Sequence, residues 1–176
     1  MSPSSASEER TAFLKRVRMR QYAPEDHAAV VQMFVNGMRS YEGHQGPGNA
    51  MYIKWSLETD MAEIVGTYIA PGGNFWVATL EDGEIIGMIA YQKKETEGEL
   101  RRLSVKSEYK RFGLGKFLVA YLETWAKANG FKTVALNTGA VMHDAIAFYH
   151  KIGYTLTKIE NTSGHYELQY FEKRLE

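Results

Sequence analysis

A chain of 176 residues, 44% hydrophobic and 24% charged, is long enough to fold as one soluble domain with a sizeable core. Its 21 basic and 21 acidic residues cancel, which excludes a global pull toward nucleic acid or an anionic membrane and leaves any anion site local. Cysteine is absent, so disulfides, thiolate metal sites and a cysteine nucleophile are excluded, and the composition suits the cytoplasm.

Residues 1–12 are Ser-rich and polar at their start and read as a disordered tail before a single domain over 13–176. Residues 17–22 alternate and predict a strand. Pro24, Glu25 and Asp26 mark a helix start, and Val30, Val31, Phe34, Val35 and Met38 carry that helix to about residue 38. The glycines and proline of residues 41–50 predict a loop, and 51–68 a second helix stopped by Pro71, Gly72 and Gly73. Three strands follow at 75–80, 85–92 and 97–105, the first two joined by a tight turn at 81–84. A helix from about Leu114 ends at Gly130, a short apolar strand spans 133–137, and a fourth helix spans 141–151. Strands at 154–159 and 166–175 close the chain. The order is β-α-α-β-β-β-α-β-α-β-β, an α/β fold with a central mixed seven-stranded sheet flanked by about four helices. No apolar run approaches the ~18–20 residues needed to cross a bilayer.

The densest signal lies between the strand at 97–105 and the helix that follows. Lys110-Arg111-Phe112-Gly113-Leu114-Gly115 is a glycine-containing loop entering a helix. The first amides of a helix lack internal partners and sit at the positive end of its dipole, so this junction can hold a phosphate or pyrophosphate. Glycine lets the backbone approach an anion closely. Lys110, Arg111 and Lys116 add local charge.

This loop and the order of elements around it resemble the GNAT acetyltransferases, whose signature is Gln/Arg-x-x-Gly-x-Gly/Ala. Here the span begins at Lys110 and continues through Gly113 and Gly115, with lysine where glutamine or arginine is usual. A second match runs over Ala145-Ile146-Ala147-Phe148-Tyr149-His150-Lys151-Ile152-Gly153-Tyr154, similar to the family's last helix; Met142 stands where many members have asparagine. The run Glu99-Leu100-Arg101-Arg102-Leu103-Ser104-Val105 is similar to the camello-like branch.

The resemblance implies an acetyl-CoA-dependent N-acetyltransferase working by direct transfer through a ternary complex, without a metal. It implies that the backbone of Leu103, Ser104 and Val105 runs along the cofactor's arm, with the Val105 amide at the thioester oxygen. Phe112, Gly113, Leu114, Gly115 and Lys116 would grip the pyrophosphate. Glu99 matches a position where members carry a general base, and pairing with Arg101, on the same face as Leu103, is its other reading. Tyr149 matches the general acid, and Phe148 is assigned to the core. Asn137 reads either as a cofactor contact or as a polar strand end. Tyr41, His44 and Tyr52 border the loop that lines the acceptor side in this superfamily.

The acceptor implied is a primary amine, on a small molecule, amino acid or peptide terminus. The alternative function is a non-catalytic acyl-CoA-binding regulatory domain. Nucleic acid and membrane partners are not expected, and Tyr166, Leu168 and Tyr170 permit a homodimer through the last strands.

Overall fold

The computed structural model describes residues 3–41, 46–95, 97–162 and 166–176. Its elements are α1 (Pro3–Arg16), β1 (Arg18–Gln21), α2 (His27–Arg39), α3 (Pro47–Glu58), β2 (Asn74–Thr79), β3 (Ile85–Lys93), β4 (Gly98–Val105), α4 (Leu114–Ala128), β5 (Thr133–Gly139), α5 (His143–Lys151), β6 (Thr155–Asn161) and β7 (Glu167–Arg174). The strands form one sheet in the order β1-β2-β3-β4-β5-β7-β6. Every neighbouring pair is antiparallel except β4 and β5, which run parallel.

β2 is buried along its whole length and β3 through Tyr91, because the sheet is covered on both faces. On one face Leu114, Leu118, Leu122 and Ala126 of α4 pack with Trp76, Ile86 and Ile89. On the other, Val30, Met33 and Phe34 of α2 pack with Ile53, Tyr68, Phe75 and Met88. Gly83 takes the positive φ that the β2–β3 turn requires.

Three local expectations change. The tail expected to be disordered contains α1, which is held because Phe13 is buried and stacks on Phe112, ring centroids 4.5 Å apart, and on Tyr109 at 5.5 Å. The loop expected over 41–50 is shorter, since Pro47 occupies the first turn of α3. The helix expected over 51–68 is broken. α3 ends at Glu58, Thr59 leaves helical geometry, and residues 65–69 form one separate π-type turn. That break turns Asp60 into the interior.

Two features of β4 shape everything near it. Its pairing with β5 consists of Gly98 with Val134 and Glu99 with Ala135, after which the strands part. Against β3 the register shifts: Ala90 pairs with Arg101 but Met88 with Ser104. The extra residue makes a bulge, and Arg102 sits there at φ +55, the one described non-glycine residue with positive φ. Such a conformation costs about 1–3 kcal/mol and persists where surrounding contacts enforce it.

Gly98 is required for a different reason. A Cβ built there would lie 1.8 Å from the Tyr91 ring. That ring is fully buried and packs edge-on against Phe131 and Trp125, so it has nowhere to retreat. Gly98→Ala is expected to lose about 1–3 kcal/mol through overpacking. The corresponding drop in Tm is roughly 2–9 °C, measurable by thermal circular dichroism.

Candidate active site

Because β4 and β5 part after Glu99, a cleft of about 820 Å³ opens between the two halves of the sheet. The Lys106 amide donates to the Ile86 carbonyl of β3, and Gly87 pairs with Val105. Successive amides of a strand point to opposite sides, so the Val105 amide is directed away from β3, into the gap. An N–H fixed there can stabilise an oxyanion.

The cleft's far end is the glycine loop. Residues 107–112 form a 3-10 turn, Gly113 takes φ +77, and α4 starts at Leu114. The Phe117 amide bonds the Gly113 carbonyl, leaving the amides of Leu114, Gly115 and Lys116 ahead of the helix's first closed turn. Nothing lies within 4 Å of a Cβ built at Gly113, whose need for glycine is therefore conformational.

The structure gathers most of the expected residues around this one space. Tyr41, Tyr52, Glu99, Leu103, Ser104, Val105, Lys110, Arg111, Gly113, Gly115, Lys116, Asn137 and Tyr149 all line it. Phe112 and Leu114 do not: the Phe112 ring stacks on Phe13, and Leu114 is fully buried in the core, so only their backbones are available to an anion. His44 lies outside the described residues. Phe148, expected in the core, packs against it and also lines the cleft beside Gly115. Arg10 on α1 lines the cleft too, an unexpected cation delivered by the helix that replaces the tail. Lys106 is ion-paired to Glu84 at 2.6 Å.

At the point where the strands part, Asn137 of β5 donates to Glu99 Oε1 across the gap at 3.0 Å. This contact differs from both sequence readings of Asn137. Glu99 also has Arg101 at 3.9 Å and Lys94 at 3.8 Å, longer ion pairs that leave the carboxylate facing the cleft. Arg101 makes its shorter bond to Gln92 Oε1, 3.0 Å away. Tyr149 is only 8% exposed, its ring held edge-on by Phe148 and Tyr154. Burial, with Tyr41 close by, pushes its phenol well above the usual tyrosine range, so it holds its proton more tightly than a free tyrosine. Tyr41 is raised as well, by burial and then by Asp144.

The bulge changes which side chains share a face. Leu100, Leu103 and Val105 pack toward α4, whereas Arg101 and Arg102 both face α2 and α3, so Arg101 and Leu103 do not share one. Arg102 forms a buried two-pronged pair with Asp60, Nε to Oδ2 at 2.8 Å and Nη2 to Oδ1 at 2.5 Å. It also donates to Tyr52 Oη and Ser56 Oγ, and Tyr68 donates to Asp60. Composition gave no sign of this network; it follows from a bulge and a helix break that periodicity does not encode. Among the described residues no cluster of potential metal ligands occurs, and no helix is long and apolar enough to cross a membrane.

Comparison with known proteins fits this geometry. The chain is 35% identical over 125 residues to N-acetylaspartate synthetase of Xenopus tropicalis, covering 69% of this chain and 45% of that one. It is 33% identical over 121 residues to N-acetyltransferase family 8 member 2 of Rattus norvegicus, covering 65% and 50%. The chain thus spans about half the length of these relatives or less. The crystal structure of PaiA N-acetyltransferase from Thermoplasma acidophilum in complex with coenzyme A superposes with a TM-score of 0.70 at 22% identity, over 90% of this chain and 98% of that one. The family model for the acetyltransferase (GNAT) family matches residues 38–154, the span that holds the parted strands, the glycine loop and Tyr149, and this chain belongs to that family.

Proposed function

We propose that this chain transfers the acetyl group of acetyl-CoA directly to the primary amine of a carboxylate-bearing acceptor, an amino acid or a conjugate of one. The observation that carries the proposal is the parting of β4 and β5 just past Glu99, with the Val105 amide and the Tyr149 ring on the same cleft. Glu99, oriented by Asn137, accepts the ammonium proton, because an alkyl ammonium with a pKa near ~10.4 is almost wholly protonated at neutral pH. The freed amine attacks the thioester carbonyl carbon while the Val105 amide stabilises the developing oxyanion, a contribution of roughly 3–4 kcal/mol for one fixed donor. The C–S bond breaks, Tyr149 protonates the departing thiolate, and the second proton that the nitrogen sheds as the amide forms restores the Tyr149 phenol. The amides before Phe117, with Lys110, Arg111, Lys116 and Arg10, hold the phosphates.

The acceptor's carboxylate is assigned to Arg101. It lies on the cleft beside Glu99 and, unlike Arg102, is bonded to a neutral amide rather than neutralised by a close carboxylate. The naming of one relative for N-acetylaspartate supports an acidic amino acid as the first to try. The cleft lining, with Arg10, Arg101, Lys110, Arg111 and Lys116 against Glu99 and Asp144, favours a small carboxylate-bearing acceptor over a lysine-rich tail. The reading places the protein in the cytoplasm. It allows a homodimer across β6, one of the two edge strands of the sheet, where Leu156 and Ile159 are exposed.

The test is free-thiol release from acetyl-CoA over a panel of amino acids and their decarboxylated amines. Release with amino acids, lost by about 10²-fold with Glu99→Gln, is expected. Arg101→Gln should raise KM for amino acids by roughly tenfold and leave the bare amines unaffected. Tight acetyl-CoA binding without release from any amine would favour the regulatory alternative.

A further inference from the structure

We infer that the buried Arg102–Asp60 pair is a clamp that holds the β4 bulge, and that this clamp sets the direction in which the Leu103–Val105 backbone meets acetyl-CoA. The inference rests on the reading that this backbone faces the cofactor. It concerns positioning: Arg102 lines the cleft, but its guanidinium is engaged by Asp60, Ser56 and Tyr52.

Arginine at φ +55 is an unexpected occupant of a bulge, where glycine adopts that backbone freely. Something other than intrinsic preference keeps it there. Four of the five guanidinium N–H donors have partners: two go to Asp60, one to Ser56 and one to Tyr52. The guanidinium also lies 4.7 Å from the Phe34 ring centroid. These partners come from α2, α3 and the turn after α3. A single side chain therefore fastens the bulged residue to three segments on the acceptor side. Asp60 is itself held by Tyr68, and it reaches Arg102 because α3 breaks at Thr59.

The bulge has a direct consequence for the cleft. It inserts one residue between Arg101, opposite Ala90, and Ser104, opposite Met88. If β4 relaxed into a regular strand, the segment beyond Arg101 would slip by one position. Each amide of 103–105 would then exchange sides. The Val105 N–H, now directed into the gap, would turn toward β3.

The clamp is tested by acetyl-CoA titration calorimetry on the full chain, with thermal melts beside it. Arg102→Met with Asp60→Leu removes both charges and fills the space, so the protein folds. Its bulge is unsupported, and a Kd raised about tenfold or more is expected. Arg102→Gly with Asp60→Asn also removes the clamp, but glycine adopts the bulged backbone unaided. Its Kd is expected within about threefold of the parent despite a lower Tm. A stabilising role alone would rank the two variants by melting temperature, the reverse order. Arg102→Lys keeps the charge without the fork and is expected to raise Kd roughly fivefold.

Parent-like binding by the Met/Leu protein, or equally weak binding by the two double variants, overturns the clamp. If a double variant does not fold, an unchanged Kd for Arg102→Lys overturns it alone. Val105→Pro separates the two levels. If it abolishes turnover while the Arg102 variants bind normally, the strand reading stands and the clamp falls. If Val105→Pro is also silent, the strand reading falls with it.

Discussion

Tyr149→Phe is expected to lower kcat by about 10²-fold while leaving acetyl-CoA affinity within about twofold. The ring's contacts with Phe148, Tyr154 and Phe171 are all retained by phenylalanine, so the melting temperature should barely move. What is lost is one hydroxyl on the cleft wall. A phenol carries its proton at neutral pH, as a donor to a leaving thiolate must, and burial makes this one hold that proton more firmly than a free tyrosine does. The assignment has a sharper test than the rate loss. A thioester with an electron-poor aromatic thiol leaves without help, so the Tyr149→Phe deficit should shrink to a few-fold with an acetyl donor of that kind. A deficit that stays the same for both donors would mean that Tyr149 shapes the cleft and does not protonate sulfur.

The strand and helix order was legible because its signals are local. Alternation marks β1, apolar runs bounded by turn residues mark β2 and β3, Gly83 and Gly130 take the positive φ of the turns after β2 and α4, and α4 shows its buried stripe from Leu114 to Ala126. The glycine loop could be read for the same reason, since a strand, two glycines and a helix start lie within a dozen residues. What could not be read depends on contacts between distant segments. Phe13 orders α1 only because Tyr109 and Phe112 are there to stack on. The side chain facing of Arg102 depends on a bulge, and the bulge on Asp60, 42 residues away. Strict alternation across β4 would separate Arg101 from Arg102 and keep Leu103 beside Arg101. One inserted residue reverses both results. The bond from Asn137 to Glu99 was out of reach for a similar reason: it spans the gap between two strands, and sequence gives no register for a pair that is hydrogen-bonded over only two residues.

Asp60→Asn is expected to cost about 3–5 kcal/mol at pH 7, because it leaves the Arg102 guanidinium buried without its counter-charge. That is the largest stability loss foreseen for any polar substitution here, a fall in Tm of roughly 6–15 °C. Burial pushes the Asp60 carboxyl upward. The hydrogen bonds and charge of Arg102, with the Tyr68 bond, more than offset this and hold it below the usual carboxylate range. The sign of the pH dependence follows. A carboxyl with a depressed folded-state pKa contributes stability that is fully present above its unfolded value, about 3.9 for aspartate, and is lost as pH falls through the folded value. The asparagine protein has no such group. Urea melts of both proteins should therefore show a wide gap at pH 7 that persists to about pH 5 and narrows below about pH 4. Arginine cannot deprotonate in this range, so closure of the gap can come only from protonating Asp60 in the parent. A gap that stays constant down to the acid limit would show that asparagine harms the site by shape, and that the charge of Asp60 is not what holds Arg102 in the interior.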